Sequence, residues 1–89
     1  MKNKDNYIKA YTRDDYVCQI CNSRATQIAH RIGQGKLNRK IYGDYIIDHV
    51  VNLKAVCSLS CNTKVDVTNN PAQREEVLKE IIYYEKDKK

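Results

Sequence analysis

The chain has 89 residues, 16 Lys or Arg against 11 Asp or Glu, a formal net charge of +5, seven tyrosines and neither Trp nor Phe. A chain this short buries only about 60 % of its unfolded surface, so a large core is excluded and a metal or covalent staple is expected. No apolar run approaches the roughly 20 residues of a membrane span, and the polar opening MKNKDNYIKAYTRDDY has no apolar leader segment, so a single cytoplasmic domain over residues 1–89 is expected.

In chain order, Tyr7, Ile8 and Tyr11 recur at helical intervals and predict a short N-terminal helix packed on the core. YVCQICNSRATQ reads as an extended segment entering a knuckle at Cys18 and Cys21, with Asn22 and Ser23 supplying turn chemistry. TQIAHRI, residues 26–32, has β-branched and apolar residues in partial alternation and reads as a strand, with Ile28, His30 and Ile32 on one face.

RIGQGKLNRK, residues 31–40, carries Arg31, Lys36, Arg39, Lys40 and two glycines without an acid. It reads as a basic loop suited either to a phosphate chain or to plain solvation. It sits in the more positive half, since residues 1–40 hold nine Lys or Arg against three Asp. GQGK is not a phosphate-binding P-loop, because the glycines are too close and no Ser or Thr follows Lys36.

IYGDYIIDHVVNLKAVC, residues 41–57, is dominated by strand formers, so a second hairpin strand ending near Cys57 is expected, with a turn or bulge at Gly43 and Asp44. CNTKVDV can form a short helix, and Asn62 is a possible cap for it. In NPAQREEVLKEIIYYEKDKK, Asn70 as cap, Pro71 in the first turn and Gln73 three residues on predict a terminal helix. Its core stripe would be Val77, Leu78, Ile81 and Ile82, with Tyr83 and Tyr84 as packing residues.

The cysteines form a CxxC at Cys18 and Cys21 and a CxxxC at Cys57 and Cys61, 35 residues apart. Four soft thiolates suit a tetrahedral structural Zn²⁺, and in a reducing compartment such pairs hold metal more often than each other. A metal there ties the start of one strand to the end of the next and encloses the basic segment.

YVCQIC followed by QIAHRI, NLKAVC and CNTK resembles the HNH endonucleases over residues 13 to about 66. That resemblance implies an α+β fold, a zinc-braced ββα-metal finger with flanking N- and C-terminal helices. It implies DNA as partner, His30 as general base, Asn52 as the second motif residue, and Asn62 as the third and as ligand of a catalytic Mg²⁺ or Mn²⁺. Neutral imidazole can take a proton from water near pH 7, a buried amide can hold a loop through its backbone, and a carboxamide oxygen is a hard ligand. The reaction implied is phosphodiester hydrolysis, with Arg31, Lys36, Arg39 and Lys40 holding DNA.

The family often carries Asp or His before the base, where this chain has Ala29. Asp66, four residues after Asn62, would share its face if CNTKVDV is helical and is a candidate substitute ligand, with Asp48, His49 and Asp44 as others; His49 otherwise reads as a strand-end histidine. The alternative is a zinc-finger DNA-binding module without catalysis, or a subunit of a nucleic-acid complex; a homodimer is also possible. By family analogy alone, a small nuclease suggests a phage or mobile element.

Overall fold

The computed structural model describes residues 4–87. Their architecture is α+β: helices α1 (Lys4–Arg13), α2 (Lys36–Tyr42), α3 (Asp44–Ile47), α4 (Leu59–Val65) and α5 (Pro71–Asp87) surround strands β1 (Gln27–His30) and β2 (Leu53–Val56). The strands pair antiparallel, with Gln27 opposite Val56 and His30 opposite Leu53. With α4 following, the centre of the chain is a ββα unit. None of the described helices is long and apolar enough to cross a membrane.

Strand alternation divides the hairpin into two faces. Ala29 and Val56 pack against Cys18, Cys61 and Val65, placing α4 and the cysteines on one side. Ile28 and Leu53 pack with Tyr7 and Ala10 of α1 on the other. A third cluster joins Ile32 and Ile47 to Val77 and Ile81 of α5. Ile32 therefore lies beyond β1 and serves the α5 cluster rather than the face of Ile28 and His30. Three small clusters replace a single aromatic-rich core, as the composition requires.

The clusters are joined by buried polar groups. Asp14 accepts the Ala55 N–H at 3.0 Å, and Arg13 clamps the same carboxylate at 2.8 and 2.9 Å while donating to the carbonyls of Val50 and Leu53. This fixes the end of α1 to β2. Burial would raise the Asp14 carboxyl, but the bonds from Arg13 and Ala55 outweigh it and hold it below the usual range.

The basic segment is not a loop throughout, and residues 41–52 are not strand. α2 begins at Lys36, α3 follows Gly43, and a 3₁₀ turn covers Val50–Asn52 before β2 begins. Gly43 adopts φ 85° and ψ 157°, a conformation an L side chain rarely takes, and this breaks the run between the two helices. The β-branched residues here suggest strand, but β1 and β2 already pair with each other. Ile47 is instead buried against α5, and the local amides bond within their own turns.

Asn52 closes this connection. Fully buried, it accepts the Ile32 N–H at 2.8 Å and donates to the carbonyls of Ile32 at 3.1 Å and Ile47 at 2.7 Å. Asn52→Ala would leave three buried backbone groups unsatisfied, so a loss of about 3 kcal/mol is expected. At this chain length that lowers the thermal midpoint by roughly 10–20 °C. Asn52→Asp should do no better, because a carboxylate cannot donate to two carbonyls; a midpoint preserved in both variants would remove Asn52 as the lock.

Helix α4 starts two residues before Cys61, capped by Ser58, whose hydroxyl accepts the Cys61 N–H at 3.3 Å; Asn62 is not its cap. The expected cap of α5 is present, with Asn70 Oδ1 accepting the Gln73 N–H at 3.1 Å. Of the α5 stripe, Val77 and Ile81 are buried and Leu78 half-buried, whereas Ile82 is exposed; Tyr83, expected to pack, is exposed as well.

Candidate metal centre and the His30 site

The knuckle that carries the first cysteine pair is built by short-range backbone bonds. Val17 bridges Arg24, the Cys18 N–H meets the Ser23 carbonyl at 2.6 Å, and Asn22 takes the left-handed conformation at φ 67°, which Asn tolerates well. The second pair spans the end of β2 and the first turns of α4. Together they bring the sulfurs of Cys18, Cys21, Cys57 and Cys61 within 4.8 Å of one another, all four as free thiols.

The Cys21–Cys57 and Cys57–Cys61 separations are 3.2 and 3.7 Å. Tetrahedral thiolates at about 2.3 Å from Zn²⁺ lie about 3.8 Å apart, so the set fits a metal ion such as zinc. The electrostatics agree. Burial would raise the Cys18 thiol, but the N–H groups of Cys21, Ile20 and Cys57 hold it down to about 6. Contact with Cys21 pushes Cys57 up to about 12. Four sulfurs this close can ionise together only around a cation.

At the other end of β1, His30 is buried, its ring edge-on to Tyr7 with centroids 6.1 Å apart. Its Nε2 lies 3.2 Å from Asp48 Oδ1. Asp48 is also buried, and Arg39 grips both its oxygens at 2.8 and 3.0 Å while reaching Asp44 at 2.8 Å. Burial lowers the imidazole's proton affinity more than Asp48 restores it, so His30 sits below the ordinary histidine pKa. Burial would raise Asp48, but Arg39 and His30 hold it below the ordinary carboxylate range.

Asn62 lies on the other face. Its Nδ2 donates to Gln27 Oε1 at 3.4 Å, leaving Oδ1 as the atom available to a cation. No hydrogen bond joins Asn62 to His30 among the described residues. Asp66 is the C-cap of α4, in extended conformation, with Oδ1 accepting the Thr68 N–H.

The other substitute ligands are committed elsewhere: Asp48 and Asp44 to Arg39, and His49 to Glu85 at 2.7 Å. His49 is the cap of the 3₁₀ turn, not a strand end, its Nδ1 accepting the Val51 N–H. Tyr84 packs edge-on against it, centroids 5.2 Å apart. Among the described residues, only the four cysteines bring three or more His, Cys, Asp or Glu groups to one point.

Of the four expected DNA-binding cations, Lys36 and Lys40 are exposed on α2. Arg39 is bound to Asp48 and Asp44, and Arg31 forks onto Glu80 at 3.0 and 3.1 Å. The Asp48 and Arg39 partnership with His30 was missed from sequence. Its signal was an acid inside the apolar stretch YIIDHVV, which must find a cationic partner if buried.

No family model, curated protein or solved structure matches the chain.

Proposed function

We propose that the protein is a metal-dependent DNA endonuclease of the HNH type. The observation that carries this reading is His30, at the end of β1 in a cysteine-closed ββα unit, aligned on the buried carboxylate of Asp48. With Nε2–H donating to Asp48, the lone pair of His30 is on Nδ1, and the lowered pKa keeps the ring neutral near pH 7.

In the proposed reaction Nδ1 takes a proton from water as the water oxygen bonds to phosphorus. The bond from phosphorus to the 3′ oxygen breaks, and that oxygen leaves protonated by solvent, giving 5′-phosphate and 3′-hydroxyl ends. Mg²⁺ or Mn²⁺ at Asn62 Oδ1 would neutralise charge on the phosphate, with water completing a shell to which the protein offers few ligands. The scissile phosphate would cross the outer edge of β1, which among the described residues pairs only with β2, so that His30 and Asn62 reach it from the two faces. The four thiolates would hold a structural Zn²⁺, and Lys36 and Lys40 would contact the DNA backbone.

The test is cleavage of supercoiled plasmid by zinc-loaded protein with EDTA, Mg²⁺ or Mn²⁺. Nicked or linear product that requires the added ion is expected. A second reading, a zinc-braced DNA-binding module, is favoured by Ala29 and by the burial of His30 behind the Arg39–Asp48 pair. Folded protein that shifts DNA but never cuts it under any of these ions would establish that reading and sink the first.

A further inference from the structure

A groove of about 480 Å³ lies on the side of the molecule formed by α1, the 3₁₀ turn, the end of β1, β2 and α5, and it is lined by Lys9, Arg13, Arg31, Lys54, Glu80 and Tyr84 among others. Arg13 is neutralised by Asp14 and Arg31 by Glu80. Both guanidinium groups are also held by backbone carbonyls, Arg13 by Val50 and Leu53 and Arg31 by Val51, so their forks are fixed before any ligand arrives.

Lys9 and Lys54 have no ion-pair partner within the described residues. Lys54 is half-buried, and burial, then Arg31 and Arg13, hold its ammonium below the usual lysine range; Asp14 and Glu80 offset this only in part. The groove therefore holds more positive charge than its acids cancel, and a bound anion would relieve the repulsion around Lys54.

Four cations line this one groove: Lys9 and Arg13, four residues apart on one face of α1 and about 6 Å apart along its axis, and Arg31 and Lys54 from the strand region. Several cations spread over an open groove suit a chain of phosphates better than a single small anion.

We propose that this groove is a second nucleic-acid contact, in which Lys9 and Lys54 each neutralise a backbone phosphate and the fixed Arg13 and Arg31 forks border the track. It rests on the reading of the protein as a DNA-acting enzyme, and it adds a surface formed by α1 and β2 to the α2 lysines.

The experiment is fluorescence anisotropy of a short duplex against the full zinc-loaded chain, without Mg²⁺ or Mn²⁺, over a range of NaCl. For Lys9→Ala combined with Lys54→Gln, the log–log salt slope should shrink by about 2 and affinity near 150 mM salt should fall roughly tenfold. Lys54→Arg should keep the wild-type slope. Lys79→Ala combined with Lys86→Ala removes the same charge from the exposed side of α5 and should leave the slope near wild type. Wild-type binding with an unchanged slope in the groove double variant overturns the groove and spares the nuclease reading. Equal losses in both double variants also overturn it, since charge rather than place would then matter. Failure of the wild type to bind duplex overturns both.

Discussion

Removal of metal from the four-thiol site is expected to abolish cooperative folding. The reason lies in what the cysteines hold together. Cys18 and Cys61 are two of the five buried residues in the cluster on the α4 face of the hairpin, with Ala29, Val56 and Val65 as the others. That cluster contains no side chain larger than valine, so its apolar burial alone is modest. A metal in a closed thiolate set contributes an apparent ~10–16 kcal/mol in small zinc domains, against a total stability of about 5–15 kcal/mol for a domain.

Without the cation, Cys18 keeps its charge on the N–H groups converging on it, but Cys57, beside the other sulfurs, stays protonated, so the four thiols within 4.8 Å of one another cannot ionise together and the set is not closed. Thermal unfolding of zinc-loaded protein should show one sharp transition that vanishes under a strong chelator and returns on adding Zn²⁺. Cys18→Ser should behave like the chelated wild type. Exchange with Co²⁺ should give the absorption of a tetrahedral thiolate site. A chelated protein that still melts cooperatively within a few degrees of the loaded one would show the cluster to be incidental.

The parts of this structure that were legible in the sequence are those set by local chemistry. The CxxC and CxxxC spacings converge on one point, Asn70 caps α5, and the β-branched and apolar stretch TQIAHRI contains β1. What was not legible depends on partners far away in the chain. Ile46 and Ile47 carry strand propensity, yet β1 and β2 already pair with each other and α5 offers an apolar wall, so the segment folds as two helices split at Gly43. Asp14 meets Ala55 across 41 positions, and Arg39 meets an Asp48 that spacing alone offered as a metal ligand. The charge run at 31–40 was visible, but the pairing of Arg31 with Glu80 and of Arg39 with Asp48 removes half of its apparent positive field.

On the proposed nuclease reaction, His30→Ala should reduce plasmid cleavage by about 10²–10⁴-fold with little change in DNA affinity, the range a positioned general base contributes. The wild-type pH profile gives an independent readout. A base must be deprotonated to act, so kcat/KM should rise with pH and level off once His30 is neutral. Because burial depresses its pKa, that midpoint should fall below 6.5, and the plateau should already be reached near pH 7. Asp48→Asn should lose less activity than His30→Ala, as befits a positioning residue. It should also move the midpoint lower still, because the carboxylate is what raises the imidazole's affinity for a proton, while burial and Arg39 lower it. The same shift makes the folded state dependent on acid: the unfolded chain binds a proton below about pH 6.5 that folded His30 resists, so stability falls as pH drops through that range, and His30→Gln should flatten this step. A cleavage midpoint well above 7 that is unaffected in Asp48→Asn would assign the proton transfer to another group, and full activity in His30→Ala would remove His30 from the reaction.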